Sequence, residues 1–212
     1  MKVLSVNVGR PREVEWHGKS YRTSIWKNPV GGPVEVRTLN IDGDEQSDLS
    51  VHGGRNKAVY AYAREHYPKW ADELGVDLSS GAFGENLTIE GFLEDDIRIG
   101  DRLRIGSVVF EVTQPRMPCF KLGIRFDRDD MVRRFLESGR SGFYLAVIRE
   151  GVLVSGDAVA LDVPAEHDVT IADVAEAYAT GGDDRNLLRR VAAVPALPEG
   201  LRQHFAKLLE RG

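Results

Sequence analysis

The sequence predicts a mostly β protein, a barrel or a sandwich, with a small helical unit at its C-terminal end. About ten short segments rich in β-branched and aromatic residues follow one another at close spacing, and two helical patterns interrupt them. The pattern changes after Val163-Pro164, where three helical segments replace the strands. We therefore predict a strand-rich domain over residues 1–164 and a three-helix domain over residues 165–212.

The N-terminal quarter of the chain is predicted as strands joined by polar connections. Residues 1–9 alternate apolar and polar side chains, and residues 21–26 and 34–39 are short β-branched and aromatic runs. Residues 28–33 between them contain two prolines and two glycines and form a turn. Residues 41–54 follow neither period and are rich in Asp and Gly, and a loop of this length in a compact domain is more often functional than idle.

Strands and two helices are predicted along the middle of the chain. Residues 57–62 alternate as a strand, and residues 64–74 have helical spacing, with Pro68 near the first turn. A second amphipathic helix is predicted over residues 127–138. The remaining strand candidates are residues 97–103, 108–113, 143–149, 152–155 and 158–163.

The C-terminal segment has the pattern of three short helices. They are predicted over residues 171–179, over residues 186–193, and from Pro198 to about residue 210. A unit of about 48 residues is too small to be expected to fold on its own. We therefore expect it to dock on the strand-rich domain or on a partner.

Composition limits the classes of partner. The formal net charge is -5, which argues against a nucleic-acid polymer and leaves any basic cluster to a small anionic ligand. The first residues are too short and too polar for a signal peptide, and no run approaches transmembrane length. We expect no membrane partner and a cytoplasmic location. One cysteine excludes an intrachain disulfide framework and a Cys-rich zinc or iron-sulfur site.

That single cysteine, Cys119, is bracketed by two prolines and two cations. Pro115 and Pro118 fix φ and bias the preceding residues toward extended geometry, which predicts a stiff exit from a strand. Arg116 and Lys121 would favour the thiolate, which attacks electrophiles and ligates metals. A lone cysteine also commonly packs as a small buried hydrophobe. The local sequence leaves both interpretations open.

A second candidate loop contains His52, Gly53, Gly54 and Lys57. The backbone N–H groups of the glycines could cradle a phosphate while Lys57 supplies charge, although a Gly-Gly pair is more often a simple turn. His52 could ligate a metal, donate a proton or anchor the loop by a hydrogen bond, and the last role is the commonest for a single histidine.

A third candidate loop contains Gly84, Glu85 and Asn86. The carboxylate and the amide could recognise the N–H and carbonyl edge of a heterocycle, or the acid could simply stabilise the turn. No nucleophile-elbow, Walker or dinucleotide glycine pattern occurs, so hydrolase, kinase and Rossmann functions have no support.

Taken in chain order, the three loops resemble the signature of the MOSC family, named for the molybdenum cofactor sulfurase C-terminal domain. The matching motifs are Asp48-Leu49-Ser50-Val51-His52-Gly53-Gly54, Ala82-Phe83-Gly84-Glu85-Asn86-Leu87 and Gln114-Pro115-Arg116-Met117-Pro118-Cys119-Phe120-Lys121-Leu122. With its three-helix extension, essentially the whole chain resembles the YiiM-like branch of that family.

The resemblance implies an antiparallel β-barrel that binds a molybdopterin-type molybdenum cofactor. It implies that Cys119 coordinates molybdenum and is the catalytic residue, and that N-hydroxylated bases such as hydroxylaminopurine are reduced to amines. Because this cofactor ends in a phosphate, the expected phosphate partners are cations together with two glycine amides: Lys27, Lys57, Arg116, Lys121, Gly53 and Gly54. The remaining residues expected at the cofactor are Asp48, His52, Gly84, Glu85 and Asn86.

An enzyme of this kind needs an electron donor. The chain contains no flavin or nicotinamide motif, so we expect an external reductase as a partner, with the C-terminal helices as a candidate docking surface. The alternative is a sulfur carrier or cofactor-transfer protein, in which Cys119 holds a persulfide or anchors the cofactor without turnover.

Overall fold

Strands dominate the computed structural model, which describes residues 1–47 and 53–210. The strands of the described part are β1 (Lys2–Val8), β2 (Arg12–Trp16), β3 (Lys19–Thr23), β4 (Asn28–Pro29), β5 (Val34–Arg37), β6 (Asn40–Ile41), β7 (Val59–Ala63), β8 (Leu87–Glu90), β9 (Arg102–Ile105), β10 (Val108–Pro115), β11 (Phe143–Arg149), β12 (Gly151–Leu153) and β13 (Val159–Val163). The α-helices there are α1 (Tyr67–Leu74), α2 (Phe120–Phe126), α3 (Met131–Glu137), α4 (Ile171–Ala179), α5 (Arg185–Ala192) and α6 (Glu199–Glu210).

Eight of these strands form one sheet in the order β13-β9-β10-β11-β7-β8-β1-β4. Neighbours are antiparallel except β7 and β8, which run parallel. A single bridge between Lys2 and Ala158 brings β1 close to the start of β13, so the sheet curls toward itself. Within the described residues the sheet does not close, and the expected antiparallel barrel is not confirmed; the fold is a mixed, sheet-dominated one with six helices.

The central strands are buried on both faces, as their sequences require. All five residues of β7, Val-Tyr-Ala-Tyr-Ala, are buried, and so are seven of the eight residues of β10. Strands buried on both faces read as continuous apolar runs rather than as alternating ones. The loops that leave these strands are therefore attached to the most rigid part of the molecule.

The C-terminal helices dock on the sheet, one of the two placements expected from their small size. Val174, Leu188 and Phe205 are fully buried in one apolar core with Val112 of β10 and Ile97. Helix α4 begins with a capping box, in which the Thr170 hydroxyl accepts from the Asp173 N–H and the Asp173 carboxylate accepts from the Thr170 N–H. The helical unit and the sheet therefore share a core.

A separate aromatic cluster lies under helices α1, α2 and α3. Tyr62, Trp70 and Phe83 are fully buried there, and the ring of Trp70 stacks on Phe135 with centroids 6.0 Å apart. This cluster supports the segment that carries the single cysteine. No helix in the described parts of the chain combines the length and the apolar character needed to cross a membrane.

The structure corrects one predicted element beside Cys119. A single helix was predicted over residues 127–138, whereas the structure has α2 (Phe120–Phe126) and α3 (Met131–Glu137). Asp127 separates them in a left-handed conformation, with φ of 52°. The backbone of Cys119 is extended, as the two prolines predict, but a helix begins immediately after it.

Candidate functional site

Cys119 lies where β10 ends and α2 begins. Pro115, the last residue of β10, pairs with Phe143 of β11, and Phe143 pairs in turn with Ala61 of β7. The Cys119 carbonyl accepts a hydrogen bond from the Leu122 N–H at 2.9 Å, which starts the helix. The thiol is partly exposed and forms no disulfide. Its position is therefore fixed from the centre of the sheet.

Cys119 borders a cavity that is lined mainly by polar and charged residues. The space between the walls of this first cavity, with the open mouth included, is about 590 Å³. Six of the residues expected at the cofactor line it with Cys119: Lys27, Lys57, Gly84, Asn86, Arg116 and Lys121. The structure thus brings together residues that lie as far apart in the sequence as Lys27 and Lys121.

Arg116 places a fixed positive charge inside the wall of this cavity. Its side chain is buried, donates a hydrogen bond to the Phe83 carbonyl and lies over the ring of Tyr60, 4.9 Å from the centroid. Burial alone would lower the pKa of Arg116, but Tyr60, Tyr144 and Cys119 together raise it above its ordinary value. Arg116 therefore stays charged next to the thiol.

Lys27 is held by a buried carboxylate that the sequence did not single out. Its ammonium donates to Asp44, and the two side chains are only 8% and 2% exposed. Asp44 also accepts from the Gly9 N–H at 2.8 Å and from the Asn86 amide at 2.9 Å. Burial lowers the pKa of Lys27, and Asp44 opposes that effect. The charge of Lys27 is therefore largely balanced within the wall.

The two other lysines of the cavity come from different loops. Lys121, in the first turn of α2, donates to the Ser47 hydroxyl at 3.1 Å. Lys57 ends a short 3-10 turn, and its carbonyl accepts from the Gln46 amide at 3.0 Å. Burial lowers the pKa of Lys57, while the charge of Cys119 acts to raise it. Lys57 therefore interacts electrostatically with Cys119.

Glu85, which is expected at the cofactor, is not among the residues that line the first cavity. It is fully buried, and its carboxylate accepts from the Tyr67 hydroxyl, the Gly81 N–H at 2.7 Å, the Phe83 N–H at 3.0 Å and the Thr88 hydroxyl at 2.9 Å. With both oxygens engaged, Glu85 holds the loop around Gly84 in shape. This is the turn-stabilising alternative that the sequence left open.

Asn86 and Gly84 line the cavity through this loop. The Asn86 side chain accepts from the Tyr60 N–H at 3.1 Å and donates to the Asn7 carbonyl at 3.3 Å, so it joins three segments. Gly84 has φ of +78°, and a Cβ there would lie 3.0 Å from Ile25. Only glycine lets the two walls approach this closely.

Two expected cofactor residues, Asp48 and His52, lie outside the described residues. Gly53 and Gly54, which follow them, line a second cavity rather than the first. This second cavity encloses about 1,100 Å³ including its open mouth. Its walls also include Met117 and, from the C-terminal helices, side chains that the sequence did not connect to the site: Tyr178, Pro198 and Leu201.

Cys119, Lys57 and Tyr144 are the residues, within the described chain, that line both cavities. Sequence reasoning missed Tyr144 and its neighbour Tyr60, whose rings lie 5.2 Å apart. The two tyrosines face each other because Tyr144 of β11 pairs with Tyr60 of β7. Their proximity depends on a pairing between distant strands, and no local pattern in the sequence indicates it.

Comparison with known proteins places the chain among relatives of the same size. Residues 48–160 match the MOSC domain, and residues 169–212 match the YiiM-like, 3-alpha helix domain. YflK of Bacillus subtilis (strain 168) is 37% identical over 209 residues, covering 99% of this chain and 95% of that protein. The crystal structure of YiiM from Geobacillus stearothermophilus superposes with a TM-score of 0.83 at 33% identity, covering 98% of both chains.

A fungal relative carries the same region within a larger protein. The protein named Reductase of Gibberella moniliformis (strain M3125 / FGSC 7600) is 34% identical over 163 residues, which cover 75% of this chain and 29% of that protein. The matched domains and the full-length similarity lead to one conclusion. This chain belongs to the MOSC domain family, in the YiiM-like group that carries a C-terminal three-helix domain.

Proposed function

We propose that this protein is a molybdenum-cofactor-dependent reductase that converts N-hydroxylated compounds, such as hydroxylaminopurine-type bases, to amines. The observation that carries the proposal is the position of Cys119 at the junction of two cavities, one of which is rich in cations. The name of the fungal relative, Reductase, is consistent with redox chemistry in this family.

The residues of the first cavity fit an anionic cofactor with a soft metal. A thiolate suits a metal that prefers sulfur ligands, so Cys119 would hold molybdenum. Lys57, Arg116 and Lys121 supply positive charge for a terminal phosphate. The buried pair of Lys27 and Asp44 offers both a donor and an acceptor at the same wall.

The overall reaction consumes electrons that the chain cannot supply from its own residues. The N–O bond breaks, and R–NHOH with two electrons and two protons gives R–NH2 and water. The bound cofactor would supply the two-electron redox chemistry at molybdenum. A partner reductase would deliver the electrons, and we propose the exposed faces of α4, α5 and α6 as its docking surface.

The chain's own residues would bind and orient the cofactor in the first cavity. Arg116, locked between the Phe83 carbonyl and the Tyr60 ring, keeps a positive charge beside Cys119. Glu85 holds the loop that presents Gly84 and Asn86 to the cavity. These contacts are made by the chain with itself, and they would hold the wall of the cavity in shape for an anion.

The test compares protein from cofactor-competent and cofactor-deficient hosts. Molybdenum content and reduction of hydroxylaminopurine, with reduced methyl viologen as the electron donor, are measured for the wild type and Cys119→Ala. We expect molybdenum and activity in the wild type from the competent host alone, and loss of both in Cys119→Ala. Phe120→Ala, which changes the next residue, itself 46% exposed, is the control and should retain both.

Full molybdenum and full activity in Cys119→Ala would overturn the proposal. The alternative, a sulfur carrier or cofactor-transfer protein, predicts another result from the same preparations. A persulfide adduct on Cys119 in the mass spectrum, with no molybdenum in the cofactor-competent host, would favour that alternative.

A further inference from the structure

The two cavities that meet at Cys119 have different walls. The first combines cations with Asp44 and Glu45, whereas no carboxylate lines the second among the described residues. In the second cavity, glycine backbone, Met117 and Pro118 form one side, and Tyr178, Pro198 and Leu201 contribute apolar surface. Arg55 and Lys57 also line this cavity, so a planar ring bound there would contact apolar side chains and lie close to positive charge.

The C-terminal helices contribute this apolar surface from fixed positions. Tyr178 lies near the end of α4, and its ring packs against His204 of α6 with centroids 5.3 Å apart. Leu201 lies in the first turns of α6 and packs against the main core. Both side chains are partly exposed although they are attached to a buried scaffold, as expected for residues that contact a ligand.

The expected anion-binding groups divide between the two cavities: Gly53 and Gly54 line only the second, and Lys57 lines both. Lys27, Arg116 and Lys121 line only the first cavity of the two, whereas Cys119 borders both. A group held in the first cavity at Cys119 would therefore be reached by a substrate from the second.

We propose that Tyr178 and Leu201 are substrate-selecting residues, which bind the planar ring of an N-hydroxylated aromatic substrate in the second cavity while its N–O group faces Cys119. This inference rests on the proposed function and adds that the C-terminal helices determine selectivity for ring-bearing substrates. The Tyr178 ring stacks on the planar body, and Leu201 contributes apolar contact.

The first test needs neither cofactor nor turnover. Alkylation of Cys119 by iodoacetamide is followed in cofactor-free protein with increasing adenine, a planar and unreactive probe. Adenine slows alkylation of the wild type, and the half-protecting concentration rises about tenfold in Tyr178→Ala and in Leu201→Ala, as expected when one ring contact is lost. Tyr178→Phe, which keeps the ring, behaves like the wild type.

Leu208→Ala is the matched control, because Leu208 also lies on α6 and packs against the core but does not line the cavity. It should leave protection unchanged. The inference is overturned if adenine does not protect the wild type, if Tyr178→Ala and Leu201→Ala protect normally, or if Leu208→Ala weakens protection equally.

The second test uses the cofactor-loaded enzyme and two substrates. In Tyr178→Ala, the KM for hydroxylaminopurine rises about tenfold, while kcat/KM for N-methylhydroxylamine, which has no ring, and the molybdenum content stay unchanged. Equal losses for both substrates would refute selection by Tyr178. If the wild type reduces neither compound, the proposed function fails, and adenine protection still decides whether the cavity binds planar rings.

Discussion

Replacing Asp44 by alanine removes the counter-charge of a buried lysine. Lys27 and Asp44 are 8% and 2% exposed, and the same carboxylate accepts from the Gly9 N–H and the Asn86 amide. Removing one partner of a buried ion pair costs about 3–5 kcal/mol, because the other charge is left uncompensated. We expect Asp44→Ala to lower the free energy of unfolding by about that amount.

The loss of stability caused by Asp44→Ala should become smaller as the pH rises. Burial lowers the pKa of Lys27 below its ordinary value of 10.5, and Asp44 opposes this, so Asp44→Ala lowers the pKa further. The folded state then binds fewer protons than the unfolded state, and stability rises with pH between the folded and unfolded pKa values. The destabilisation of Asp44→Ala should therefore shrink from about pH 7 to about pH 10.

Urea unfolding measures the free energy of unfolding of the wild type and Asp44→Ala at both pH values. Tryptophan fluorescence and far-UV circular dichroism report the transition. Lys27→Met with Asp44→Asn is the control, because it removes both buried charges while an amide oxygen at position 44 can still accept from the Gly9 N–H, and it should recover most of the stability. A loss below about 1 kcal/mol at neutral pH would refute the burial argument. A loss of full size that does not change with pH would refute the role of the lysine charge.

Three further predictions concern the supports of the site. Glu85→Ala should destabilise the protein by about 3 kcal/mol or more, since it leaves two buried N–H groups without an acceptor, and Glu85→Gln should cost less; equal unfolding midpoints in urea would contradict this. Gly84→Ala should lower the free energy of unfolding by about 1–3 kcal/mol in the same assay, because of strain at positive φ and contact with Ile25. The loss should exceed that of Gly181→Ala, where φ is also positive but the space is open. Phe205→Ala should cost about 3–5 kcal/mol within a single unfolding transition, since the helices and the sheet share one core; a separate early transition of the helices in calorimetry would show otherwise.

Local sequence patterns predicted the long buried strands: the strands expected over residues 57–62 and 108–113 correspond to β7 and β10. Strand β2 was missed because residues 10–18 were treated as a polar connection, whereas the predicted strand over residues 21–26 overlaps β3. The turn between β2 and β3 is formed by His17 and Gly18, both with positive φ, and a glycine between two five-residue strands was the available signal. Helix α2 was missed because it is short and apolar on several sides and contains Gly123.

The candidate site was also predicted only in part. The motif positions predicted that Lys57, Asn86, Arg116 and Cys119 meet, and they line one cavity. Glu85 belongs to the same motif but points into the loop, and the sequence of an acid beside an amide does not distinguish these orientations. Residues brought in by strand pairing or by the docked helices, such as Tyr144 and Leu201, depend on tertiary contacts that a single sequence does not encode locally.

The attachment of the Cys119 segment to the centre of the sheet has a consequence for when the proposed cofactor would bind. Four residues before the thiol, Pro115 is paired to Phe143, which anchors the start of the segment that carries Cys119 in the sheet. We expect hydrogen exchange along β10 and β11 to be the same before and after cofactor insertion. The folded chain would then be able to accept the proposed cofactor without rearrangement of its sheet.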